Sequence, residues 1–112
     1  AVIIISPHAP ILHDRISLSY APTLWGDLSD FGADYYLEFE GDKALAEEII
    51  ASAWGKKIAT DPYQTEKDKV KLDHGSLVPL YYLSQGWYKF KLTVSGFSDF
   101  SLEKHFDYGE AL

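Results

Sequence analysis

The chain has 112 residues, enough for one domain that buries roughly two thirds of its unfolded surface, and at 46% hydrophobic and 15% aromatic it is globular rather than disordered. Ten basic residues against seventeen acidic ones leave a net charge of −7, which argues against a nucleic-acid partner. No apolar run approaches the length of a membrane span, and the absence of cysteine excludes disulfides, thiolate zinc sites and cysteine nucleophiles.

Any metal must therefore be held by His, Asp or Glu, and the expected compartment is cytoplasmic. The chain also lacks Met, begins inside a strand pattern and stops in a helical one, so it is expected to be a piece of a longer protein.

Val2 to Ile5 are all apolar, as in a strand covered on both faces of a parallel sheet. A proline-spaced loop, Ser6 to Pro10, follows. Arg15 to Tyr20 alternates Ile16, Leu18 and Tyr20, which predicts a short strand. Thr23 to Gly32 reads as a short helical turn closed by glycine, and Asp34 to Phe39 as the next strand. The clearest helix starts at Asp42, a capping residue, and buries Leu45, Ile49 and Ala53 with Ala46 and Ile50 beside them. Gly55 closes it, and Lys56 and Lys57 suit its C-terminal dipole.

Asp61 to Lys69 reads as a polar loop, and Val70 to Leu72 as a short strand. A helix starting near Ser76 would put Pro79 in its first turn, where no backbone donor is needed. Tyr88 to Val94 alternates cleanly, with Tyr88, Phe90, Leu92 and Val94 on one face, and a last helix starts near Ser101. The expected class is α/β, a mostly parallel or mixed central sheet flanked by helices and incomplete at both ends.

Two histidines share one local grammar. His8 follows a strand, and His74 follows a shorter strand and precedes a helix. Open α/β sheets bind ligands in the crevice beyond the carboxyl ends of their strands, so two imidazoles on that rim could converge. A helix N-terminus disfavours a proton on a nearby imidazole, and unprotonated imidazole is the form that binds metal or accepts a proton. The bland alternative makes Pro7 and Pro10 loop stiffeners and Gly75 a turn residue.

His13 lies five residues after His8, a spacing that is not helical, and Asp14 beside it reads as a loop charge. His105 reads as structural, on the border of the last helix's buried face. Tyr81 and Tyr82 are expected in the core or a pocket wall, and Glu47 and Glu48 on a solvated helix face. Asp30-Phe31-Gly32 is a kinase tripeptide without the rest of a kinase, and Gly96-Phe97-Ser98 lacks the closing glycine of a nucleophile elbow.

Taken in order, "IIISPHAP", "GDLSDFGA" and "LDHGSLVPLYYL" resemble the catalytic, LigB-type subunit family of class III extradiol ring-cleaving dioxygenases. More narrowly they resemble the branch called AmmeMemoRadiSam system protein A. The resemblance spans the whole chain but only the central portion of the family's single domain, and it implies no second domain within residues 1–112.

It implies His8 as a ligand of non-haem iron(II), with zinc(II) as the alternative metal. It implies His74 as a catalytic residue that lines the substrate pocket and positions or deprotonates a phenolic hydroxyl. Asp73 and Gly75 match the residues that shape that motif, with Asp73 at the substrate. The implied partners are a small aromatic or diol substrate and dioxygen, and a homo-oligomer stays open. Iron held by two histidines and a carboxylate keeps adjacent positions open for both reactants. The family's other ligands and its proton donor have no counterpart among these residues, and His105 and Glu110 lie in contexts that do not match them. The alternative is a Memo-like module of the same fold that binds a metal or a partner without catalysis.

Overall fold

A computed structural model describes residues 1–29, 32, 35–86 and 89–112. The element order is β1 (Val2–Ile5), β2 (Ile16–Ser19), β3 (Thr23–Asp27), β4 (Tyr36–Gly41), α1 (Lys43–Gly55), β5 (Thr60–Tyr63), β6 (Lys69–Lys71), α2 (His74–Gly86), β7 (Lys91–Ser95) and α3 (Leu102–Ala111). The strands form one mixed sheet in the order β5-β2-β7-β4-β3-β6, with β1 also on β7.

Strand β7 organises the sheet. It pairs in parallel with β1, from Val2↔Leu92 to Ile5↔Ser95. Its other edge takes β4 in parallel at Lys91 and Leu92, and β2 antiparallel at Ser95. Its side chains alternate as a strand demands. Leu92 and Val94 join Phe90, Leu77 and Leu80 in one core, so α2 covers that face. Ser95 points the other way, where its hydroxyl meets Tyr108 of α3 at 2.8 Å. On that face Ile16 and Leu18 pack with Ala46, Ile49 and Ala53 of α1. Helices thus lie on both faces, as the alternating pattern implies, but β1 is only partly covered rather than enclosed on both sides, and Ile5 is exposed.

The helix caps match the sequence. The Asp42 carboxylate accepts the Leu45 N–H at 3.0 Å, and the Ser101 hydroxyl accepts the Lys104 N–H at 3.2 Å. The end of α1 is a Schellman turn: the N–H of Ile58 reaches the Ala53 carbonyl and the N–H of Lys57 that of Trp54. The left-handed residue there is Lys57, with φ 60°, and not Gly55, which is the last helical residue.

Several expectations change. Of the helical turn expected over Thr23–Gly32, Thr23–Asp27 is instead strand β3, antiparallel to β4, because Leu24 and Gly26 alternate inward against Thr23, Trp25 and Asp27. Asp30 and Phe31 lie outside the described residues. The polar loop begins as strand β5, parallel to β2, and Pro62 is tolerated because β5 is the last strand of the sheet order. Helix α2 starts at His74 and not near Ser76, since Asp73 caps it, so Pro79 falls beyond the first turn and leaves the Gly75 carbonyl without its helical donor. Strand β4 starts later than expected, at Tyr36, and Asp34 is outside the described residues. Strand β7 starts later too, at Lys91, with Tyr88 also outside them. Tyr81 packs against the core, whereas Tyr82 is 70% exposed on the surface. Among the described residues no helix is long and apolar enough to cross a membrane.

Candidate metal and substrate site

Both histidines sit where strands end. Strand β1 stops at Ile5, and Pro7 has no N–H to continue it. The Ser6 N–H still reaches the Ser95 carbonyl at 2.9 Å, so the chain leaves the sheet only after Ser6. His8 then lies exposed on the loop. Strand β6 ends at Lys71, and two residues later Asp73 starts α2 with His74 as its first residue. The two imidazole rings meet with centroids 4.0 Å apart and planes tilted by 42°.

A buried polar network fixes this meeting. Ser6 is fully buried, and its hydroxyl donates to Asp73 Oδ1 at 2.6 Å while accepting the His8 N–H at 3.1 Å. Asp73 Oδ1 also accepts the Ser76 N–H at 3.0 Å, and Oδ2 accepts the Ser76 hydroxyl at 3.1 Å. The Asp73 carboxylate is thereby committed to three donors, one from the His8 loop and two from α2. It ties the two histidine-bearing segments together across 67 positions of sequence. Gly75 completes the fit. A Cβ there would lie 2.7 Å from His8 Cδ2 and 2.7 Å from Ser6 Oγ, closer than packing allows.

A cleft of about 370 Å³ opens beside His8 and Asp73, and Pro10, Tyr63, Thr65 and Lys71 also line it. Burial, with a smaller contribution from the Asp73 charge, pushes the Tyr63 phenol up to about 12. Tyr63 and Lys71 carried no signal in the sequence. One sits in the stretch read as polar loop and the other in a three-residue strand, and only the pairing of β5 with β2 and β6 with β3 brings them to this rim.

The donor set suits a borderline divalent metal, because imidazole binds both iron and zinc. It is partial. Among the described residues, the one group of three ligand-type side chains close enough for a single ion is His13, Asp14 and Asp99, and His8 is not in it. His8 and His74 by themselves do not make up such a group.

The other histidines are engaged. His13 bonds Asp99 through Nδ1 and Asp14 through Nε2, the latter at 2.9 Å, all exposed on the surface. His105 Nε2 accepts the Ser98 N–H at 3.3 Å and its Nδ1 lies 3.0 Å from the Ser101 carbonyl, so it braces the turn into α3. Glu110 pairs with Lys56 at 3.0 Å.

Residues 1–112 match the family model described as the catalytic LigB subunit of aromatic ring-opening dioxygenase. Protein CA_C1420 of Clostridium acetobutylicum is 31% identical over 110 residues, covering 90% of this chain and 24% of that protein. The chain thus spans about a quarter of the length of the curated relative it matches. With a match from its first residue to its last, the chain belongs to the family of the catalytic LigB subunit of aromatic ring-opening dioxygenases.

Proposed function

We propose that this chain forms the central portion of a metal-dependent, extradiol-type dioxygenase domain that opens the ring of a catechol-like diol with dioxygen. The observation that carries the reading is the His8–His74 pair, 4.0 Å between ring centroids at the ends of two strands. Family membership supports the same chemistry. His8 supplies one imidazole to iron(II), or to zinc(II) as the alternative. A metal held there would supply the open coordination that brings diol and dioxygen together.

The chain's own residues do the rest. His74, beside His8 on the first turn of α2, takes the proton from a phenolic oxygen and holds that oxygen in place. Asp73 keeps both imidazoles in register by bonding Ser6 and Ser76 rather than by reacting. Tyr63 lines the cleft beside them. The reading places the domain in the cytoplasm, acting on a small aromatic diol.

The test is oxygen uptake by the complete, iron-loaded protein over a panel of diols. Wild type is expected to consume oxygen with a catechol. His74→Ala is expected to keep its metal and lose about 10²-fold or more in turnover, the usual worth of a positioned acid–base group. Unchanged turnover in that variant would remove His74 from the chemistry, and no uptake with any diol would remove ring cleavage.

A further inference from the structure

We infer that the outer face of α2 is a homodimer interface, on which a second copy of this chain packs its own α2 antiparallel across a two-fold axis.

The observation is a helix without charge. Of the three helices in the described residues, α2 alone contains no Asp, Glu, Lys or Arg, whereas α1 carries Lys43 and Glu47, and α3 carries Glu103 and Glu110. The inner face of α2 buries Ser76, Leu77 and Leu80. Val78, Pro79, Tyr82 and Leu83 stand exposed on its other side. A helix that is apolar all round is ordinarily covered all round.

Pro79 and Tyr82 sharpen the reading. A proline beyond the first turn costs the helix a hydrogen bond, and the exposed Pro79 ring adds apolar area to the surface rather than to the core. The Tyr82 ring meets Tyr81 edge-on, with centroids 5.2 Å apart, and Tyr81 meets the exposed Tyr35 at 4.9 Å. An exposed tyrosine braced in this way is the kind of aromatic anchor that protein interfaces favour.

Charge and symmetry select a second copy. At −7 two copies repel each other, and the uncharged face of α2 is where they approach with least repulsion. The same face offers no charged group that would select a partner of opposite sign. An antiparallel pair centred between Leu80 and Tyr81 sets Val78 against the partner's Leu83 and Pro79 against the partner's Tyr82. Each large side chain then meets a smaller one, so the stripe is self-complementary, as a two-fold contact requires. One stripe on a helix about 20 Å long covers less than the ~800 Å² per partner of a stable interface, so the dimer is reversible. None of the four residues lines the cleft beside His8, and the interface stands or falls apart from the diol site.

The experiment is sedimentation equilibrium on the complete protein over a concentration series. Wild type is expected to pass reversibly from monomer to dimer. Tyr82→Glu and Pro79→Lys should each weaken the dimer by about tenfold or more, because each buries unpaired charge. Mixing the two variants should recover most of the affinity, since the new carboxylate of one faces the new ammonium of the other while the second contact stays Pro79 against Tyr82. Phe106→Glu, at a similarly exposed aromatic on α3, should leave association unchanged. A dimer indifferent to Tyr82→Glu, or no recovery in the mixture, overturns the interface. So does a wild type that stays monomeric up to about 1 mM. Slow hydrogen exchange along α2 in that monomer would assign the face to another segment of the complete protein. Should either variant fail to fold, exchange in wild type decides: protection of residues 78–83 that rises with concentration supports the interface, and unchanged protection overturns it.

Discussion

Replacing Ser6 by Ala removes a single oxygen from the point where the His8 loop and helix α2 are joined. That oxygen is fully buried, donates to Asp73 Oδ1 at 2.6 Å and accepts the His8 N–H. A hydrogen bond to a charged group contributes about 1.5–3 kcal/mol, and Asp73 keeps its two bonds from Ser76, so we expect a loss of about 2 kcal/mol. With a urea slope of about 2 kcal/mol per molar, the unfolding midpoint falls by about 1 M. The control is Ser52→Ala. Ser52 also donates a hydrogen bond, at 2.7 Å to the Ala111 carbonyl, but it is exposed, and its loss should stay within about 0.5 kcal/mol. An Ser6→Ala midpoint equal to wild type, or an equal fall in both variants, would refute the claim that this buried bond joins the two segments.

Gly75→Ala places a methyl 2.7 Å from His8 Cδ2, so it should cost about 1–3 kcal/mol in urea unfolding and weaken metal binding, the second effect separating a site defect from a general one. Lys57→Gly relieves a left-handed backbone in the Schellman turn and should raise stability by up to about 1 kcal/mol, read as a higher urea midpoint. Asp99, with Asp14 adding its charge, holds the His13 pKa above 6.5, while the Asp14 N–H and then His13 hold Asp99 below 3.8. The His13 contribution is complete below 6.5 and fades as pH rises through its raised folded value; that of Asp99 is complete above 3.8 and fades as pH falls through its lowered one. An NMR titration should place the His13 midpoint above 6.5, and Asp99→Asn should lower it; an unmoved midpoint contradicts the pairing.

Periodic, locally capped elements were legible in the sequence. The face of α1 buries Ile49 and Ala53 as its spacing requires, with Ala46 buried and Leu45 only partly so, and Phe90, Leu92 and Val94 enter one core as their alternation requires. Strands β3 and β5 were not, because their inward residues are few and their order comes from partners. Thr60–Tyr63 is a strand only because Ile16–Ser19 lies beside it. The start of α2 was misplaced by two residues because Asp73 is both a motif residue and the helix cap.

At the site, strand-end grammar brought out His8 and His74, and the structure brings their rings together. Ser6 reads only as the start of a proline-spaced loop, and its partner Asp73 is 67 positions away. The Asp99 that engages His13 is 86 positions away, and nothing local announces such pairs.

The central claim is that His8 is a metal ligand, and metal analysis of the complete protein tests it most directly. Wild type and His8→Ala are purified under the same conditions, loaded anaerobically with iron(II) or zinc(II), desalted and measured for bound metal. The account predicts close to one metal per wild-type chain and a loss of tenfold or more in His8→Ala. Equal metal content in the two proteins would contradict it.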